Sequence, residues 1–177
     1  MVVWKVKTIM GHSRAHTLCW CRGRSMKIDY AILADAAQAV GGKIFILGGG
    51  WNVFRSPNFP APAQFAVAIG LGFAATEIGV PCSIKIVIAD EAGVPIVPEL
   101  NGQIETGQLA PDLPAGLPVK VPVAWNVNLA LPRPGRYGIV VTAGSSQVDL
   151  SFSAVFIGQR VQFPSQSSSP PPSERGN

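Results

Sequence analysis

From about residue 26 to residue 160, apolar and polar positions alternate in short stretches with period two. The longest stretch is Val119 to Leu131. Val119, Val121, Val123, Trp125, Val127, Leu129 and Leu131 fall on one face, and Lys120, Pro122, Ala124, Asn126, Asn128 and Ala130 fall on the other. Successive side chains of a strand point to opposite faces, so the pattern predicts a half-buried strand with Trp125 in the core. Pro122 has no N–H to give to a ladder, which assigns its part of the strand to an edge or a bulge. Shorter stretches predict strands at Lys27–Ala34, Lys43–Gly48, Gln64–Phe73, Cys82–Ala89, Gln103–Gln108, Gly135–Thr142 and Gln147–Ile157. Gly41-Gly42 separates the first two and suggests a hairpin, with Asp35–Val40 read as a segment able to form a helical turn. Asp90-Glu91-Ala92-Gly93 and Ala143-Gly144-Ser145-Ser146 are turn signals. About eight short strands without a convincing helix predict an all-β fold, an antiparallel Greek-key β-sandwich, immunoglobulin-like or similar. In Leu131-Pro-Arg-Pro-Gly135-Arg-Tyr137, the tyrosine is expected at a corner, its hydroxyl bonded back to upstream backbone.

Two faces of these strands set up an expectation about partners. In Gln147–Ile157 the inward set is Val148, Leu150, Phe152, Ala154 and Phe156, and the opposite face starts polar with Gln147, Asp149, Ser151 and Ser153 and turns apolar at Val155 and Ile157. In Gln64–Phe73 the outer set is Ala66, Ala68, Gly70 and Gly72, with no charge. A solvated sheet face normally carries larger polar or charged groups. The small face therefore predicts close approach by another surface. Either a second molecule covers it, or the chain's own connections, Trp51–Ala63 and Pro95–Pro118, do.

Charge changes the picture at the ends. The net charge is +4. Residues 1–25 contain Lys5, Lys7, Arg14, Arg22 and Arg24 and no acid, whereas residues 26–160 contain eight Lys/Arg and nine Asp/Glu. The basicity belongs to the leader, and the domain shows no basic face of the kind nucleic acid requires. No apolar run reaches the ~18 residues of a membrane helix. The leader, residues 1–25, lacks the long apolar region of a secretory signal and reads as a disordered segment or a start-site extension, with the domain beginning at Met26. The Ser/Pro-rich segment 164–177 predicts a disordered tail, leaving 26–163 as the folded domain. That domain holds no histidine and a single cysteine, Cys82, so it forms no internal disulfide and fits a reducing, cytoplasmic setting.

Candidate chemistry is sparse. His12, His16, Cys19 and Cys21 bring four zinc-type ligands together, but Cys-x-Cys is tighter than structural zinc spacing, and no metal is expected. Gly48-Gly49-Gly50 follows an apolar strand, yet no helix can start before Pro57, so a glycine bend between sheets is favoured over a phosphate cradle. Asp29 and Asp35, and Asp90 and Glu91, are acid pairs. Asp29 sits among alternating apolar residues, and Asp90-Glu91 fits a turn. Without histidine, no Ser-His-Asp or Cys-His arrangement is possible within the domain. Cys82, after Pro81, reads as a small buried hydrophobe. Trp51, Phe54 and Phe59 are the candidate ligand-binding residues, because aromatic faces hold sugars and cations. Their other reading is a plug closing one end of the sandwich.

Met26-Lys-Ile-Asp-Tyr-Ala-Ile-Leu-Ala-Asp35, Gly42-Lys-Ile-Phe-Ile-Leu-Gly-Gly-Gly50-Trp51 and the Leu131–Tyr137 segment together resemble a family of uncharacterised bacterial β-sandwich proteins. The resemblance covers about Met26 to Ile157. It implies a chain beginning near Met26 and brings no activity, cofactor or functional residue with it. The function expected is therefore a non-enzymatic binding module. Its partner would be another protein or a second copy, with no nucleic acid, membrane or cofactor involved. A small-ligand or carbohydrate module using the Trp51–Phe59 region is the second expectation.

Overall fold

The computed structural model describes residues 7–8, 26–74, 77–106 and 118–158. Among these the regular structure is strand, apart from a 3-10 position at Glu77: β1 (Lys7–Thr8), β2 (Lys27–Ala34), β3 (Ala36–Val40), β4 (Lys43–Leu47), β5 (Val53–Ser56), β6 (Ala61–Phe73), β7 (Cys82–Asp90), β8 (Leu100–Ile104), β9 (Val119–Leu131), β10 (Gly135–Ala143) and β11 (Ser146–Phe156). Three of them, β1, β3 and β5, raise the number beyond the expected eight. They form a six-stranded sheet in the order β1-β8-β7-β10-β11-β5, a three-stranded sheet β2-β6-β9, and the two-stranded β3-β4. All pairings are antiparallel except β11 with β5, which is parallel.

Alternation explains the core. Val67, Ile69, Leu71 and Phe73 of β6 and Val121, Val123 and Val127 of β9 point to one side of the three-stranded sheet. They join Ile84, Ile86 and Ile88 of β7, Tyr137, Ile139 and Val141 of β10, and Phe152 and Ala154 of β11 in a single cluster. The period-two residues of both large sheets thus remove one another from water. Strand β9 has the predicted bounds and lies at the edge of its sheet, where Pro122 opposite Gly70 costs no interior ladder bond. The predicted corner is present: the buried Tyr137 hydroxyl donates to the Arg133 carbonyl at 2.7 Å. The Asp90 turn is present too, with Gly93 at a positive φ of 77° and its N–H bonded to the Asp90 carbonyl at 2.9 Å.

Four expectations need correction. Asp35–Val40 is no helical turn: residues 36–40 are β3. The hairpin made by Gly41-Gly42 joins β3 to β4, while β2 pairs with β6. Both glycines have positive φ, 58° and 74°, the conformation of a two-residue hairpin turn. Second, among the described residues the small outer face of β6 is covered by no part of either long connection. The β3–β4 hairpin lies on it, packing Ala37 and Ile44 over Ala66 and Ala68. The Tyr30 ring occupies the space over Gly70, where a Cβ would fall 2.2 Å from the ring. Third, Trp125 shares the predicted face but is only partly buried, and its ring rests on Gly102 of β8. Fourth, Phe156 is 59% exposed. The β10 ladder ends at Gly135 opposite Ala154, so β11 overhangs the core at residue 156.

Candidate interaction surface

The β3–β4 hairpin forms a third layer over β6 and β9. Directly opposed residues of an antiparallel pair share a face. The pairs Ala37–Ile46 and Ala39–Ile44 therefore face inward, and Ala36–Leu47, Gln38–Phe45 and Val40–Lys43 face outward. Only part of the inward set is sealed, since Ala37 is buried while Ile46 stays 37% exposed. On the outward face Leu47, Phe45 and Val40 are 70%, 59% and 51% exposed. Lys43 is the only charged residue of the two strands. Shallow grooves run along β3. One of about 320 Å³ separates it from Pro122, Ala124 and Asn126 of β9, and another of about 480 Å³ is lined by Phe45, Ile46 and Leu47. Gln38 and Asn126 are the polar groups common to both.

Within the described residues β4 pairs with β3 alone, so its other edge carries unpaired backbone groups. Natural sheets protect such edges with charge, proline or a covering segment. Ile44-Phe45-Ile46-Leu47 has none of the first two. The face and the edge together fit strand addition or face-to-face docking by another β-surface. Sequence reasoning found the β4 strand but not this surface. Four consecutive apolar residues have no period, so no exposed face could be assigned to them.

The aromatic candidates lie elsewhere and serve the core. Trp51 meets Phe65 and Phe152 edge-on, with ring centroids 6.0 and 5.7 Å apart, and Phe152 stacks on Tyr137. Phe54, in the short strand β5, and Phe59 are likewise half-buried against the cluster. The Trp51 Nε1–H is buried and meets no acceptor among the described residues. Gly48 and Gly50, at φ 61° and 87°, make the predicted bend from β4 over the three-stranded sheet to β5 at the edge of the six-stranded one.

The acidic candidates do not converge. Asp29 sits at a bulge of β2 and pairs with Lys120, with Lys27 at 3.9 Å. Asp35 follows the other end of β2, its carboxylate over Gly48. Six residues of strand hold the two about 20 Å apart. The Asp90 carboxylate is taken up by its own turn and Arg133. Cys82 is buried, its thiol 3.5 Å from the Val80 carbonyl. His12, His16, Cys19 and Cys21 lie outside the described residues, as does the 164–177 tail. Among the described residues no helix is long and apolar enough to cross a membrane.

The model of a family of unknown function (DUF6941) matches residues 29–150. No curated protein matches the chain.

Proposed function

The chain belongs to DUF6941, a family of unknown function, and since membership carries no activity we propose a role from the surface: a non-enzymatic module that associates with a second copy through the β3–β4 hairpin. The observation that carries this reading is the exposure of Val40, Phe45 and Leu47 on one face beside a nearly uncharged edge that is unpaired among the described residues. A two-fold axis at Phe45 would pair β4 with its copy antiparallel, Lys43 opposite Leu47 and Phe45 opposite Phe45. The two lysines would then stand about 14 Å apart, beyond the screening length at physiological salt. In the resulting four-stranded sheet Phe45 packs against its copy and Leu47 against the Lys43 stem of the second copy, which takes part of the outward face out of water. The separation and pairing of the acids, and the lack of histidine in the domain, support a binding role over a catalytic one.

Light scattering on the full chain at tens of micromolar is the test. The expected mass is that of a dimer. Phe45→Glu combined with Leu47→Glu should give a monomer with an unchanged far-ultraviolet spectrum. A parent chain of monomeric mass at every concentration would remove self-association. The small-ligand reading at Trp51, Phe54 and Phe59 is less well supported, because their rings pack on Phe65, Phe152 and the core.

A further inference from the structure

Glu77, between β6 and β7, is 4% exposed. Its Oε1 accepts from the Met26 backbone nitrogen at 3.0 Å, and its Oε2 from the Ala74 nitrogen at 2.9 Å. The ion pairs of the described residues involve Asp29, Asp90 and Glu99, and none brings a lysine or arginine to Glu77. A buried carboxylate that meets only neutral amides, as Glu77 does among the described residues, is costly, because the charge has lost its water and gained no counter-charge from them.

Met26 itself is held from several sides. It is 3% exposed, and its Sδ-methyl lies against Gly144 in the β10–β11 turn, where a Cβ would come within 3.1 Å of it. Two residues on, the Ile28 N–H bonds the Ser146 hydroxyl at 3.1 Å. The start of β2 is thereby seated between the β6–β7 connection and the β10–β11 hairpin, its residue-26 nitrogen directed at the carboxylate. Strand alternation begins one residue later, and the acid-free basic segment ends one residue earlier.

We infer that Glu77 is a receptor for an amino terminus at residue 26: the site takes an α-ammonium at the nitrogen of Met26. As a peptide nitrogen, that atom offers one N–H and no charge. As an α-ammonium it offers three N–H donors and the counter-charge that the other described residues do not supply, at an unchanged position. Such charge-assisted bonds are shorter and stronger than neutral ones. Met26 is itself a methionine, so translation beginning there supplies the group without any cleavage step. The inference rests on the Glu77 geometry and is independent of the hairpin surface.

The test begins with the full chain, folded first. Residues Arg22–Ser25 are replaced by the recognition sequence of a protease that cuts on its C-terminal side, and the folded protein is then cut to free the Met26 amine. Acylation by a limiting amine reagent near neutral pH is followed by mass spectrometry. With Glu77 present, the Met26 amine should react about tenfold or more slowly than in the cut Glu77→Gln variant. It should also react that much more slowly than in the same cut protein denatured, a comparison that needs no variant. Cutting should raise the thermal midpoint of the parent and not that of Glu77→Gln. Equal acylation rates in the folded and denatured parent, or a midpoint change on cutting that is the same with and without Glu77, would overturn the inference.

Discussion

Asp90 organises its turn with one carboxylate. Its Oδ1 accepts from the Ala92 and Val94 nitrogens, each at 3.0 Å, and its Oδ2 accepts from Arg133 Nη2 at 2.9 Å. The Val94 N–H acts most strongly. With the Ala92 N–H and the Arg133 guanidinium it outweighs desolvation and holds the carboxyl below its ordinary value of 3.8. Arg133 is tied at both ends, because its carbonyl receives the Tyr137 hydroxyl while its side chain reaches Asp90. A pKa depressed in the folded state means that the unfolded chain binds the proton more tightly. The stabilisation is therefore complete above the ordinary aspartate value and is lost as pH falls through the lower folded one. Asp90→Asn should melt below the parent at pH 7, and the gap should close in acid, below about pH 3.8. Thermal scans from neutral to strongly acidic pH check this, and a gap constant with pH would show that the charge contributes nothing.

At the scale of elements, the hairpin β3–β4 depends on the small side chains beneath it. Ala66 and Ala68 are 0% exposed with Ala37 directly over them, so no room exists for a larger residue. Ala68→Leu should therefore lift the hairpin or strain β6, at a cost of about 1–3 kcal/mol, the usual price of overpacking. Hydrogen exchange distinguishes the two sheets. Faster exchange should be confined to residues 36–47 and their β6 and β9 neighbours, with β7 and β10 protected as before. Uniform loss of protection would mean that the hairpin is not a separate layer. Strand β5 belongs to the same scale. Ser153 donates to the Asn52 carbonyl at 2.9 Å and Ile157 to the Ser56 carbonyl at 3.0 Å, so the four residues that precede Pro57 pair along the outer edge of β11.

At the scale of the whole molecule, the larger of the two apolar clusters among the described residues is shared by two sheets whose strands are far apart in sequence. Ile86 is 0% exposed within the sheet centre, opposite Val141 of β10. Ile86→Ala should cost about 2–5 kcal/mol, the range for truncating a buried isoleucine. Urea unfolding followed by Trp fluorescence and by circular dichroism should give one coincident transition moved to lower denaturant. If the two probes separate, the sheets do not unfold as a unit.

Much of this was legible in the sequence, for a local reason. Period two is a property of neighbouring residues, so β6, β7, β9, β10 and β11 could be read directly, down to the edge position of Pro122, and their inward sets too, except for Phe156 and the depth of Trp125. Tyr137 at its corner and the glycine bend at Gly48–Gly50 were legible because backbone geometry restricts which residues stand there. What tertiary structure alone decided was everything set by a distant partner. Ala36–Val40 has no strong preference of its own, and it became a strand by pairing with β4 over the alanines of β6. Val53–Ser56 became a strand because β11, about a hundred residues away, left an edge for it. Trp125 was placed on its face by alternation, but its depth depended on where β8 and Gly102 stopped. The exposed surface of Val40, Phe45 and Leu47 was hidden for the same reason. In an unbroken apolar run the side chains alternate, but only the layer beneath determines which half is left facing water.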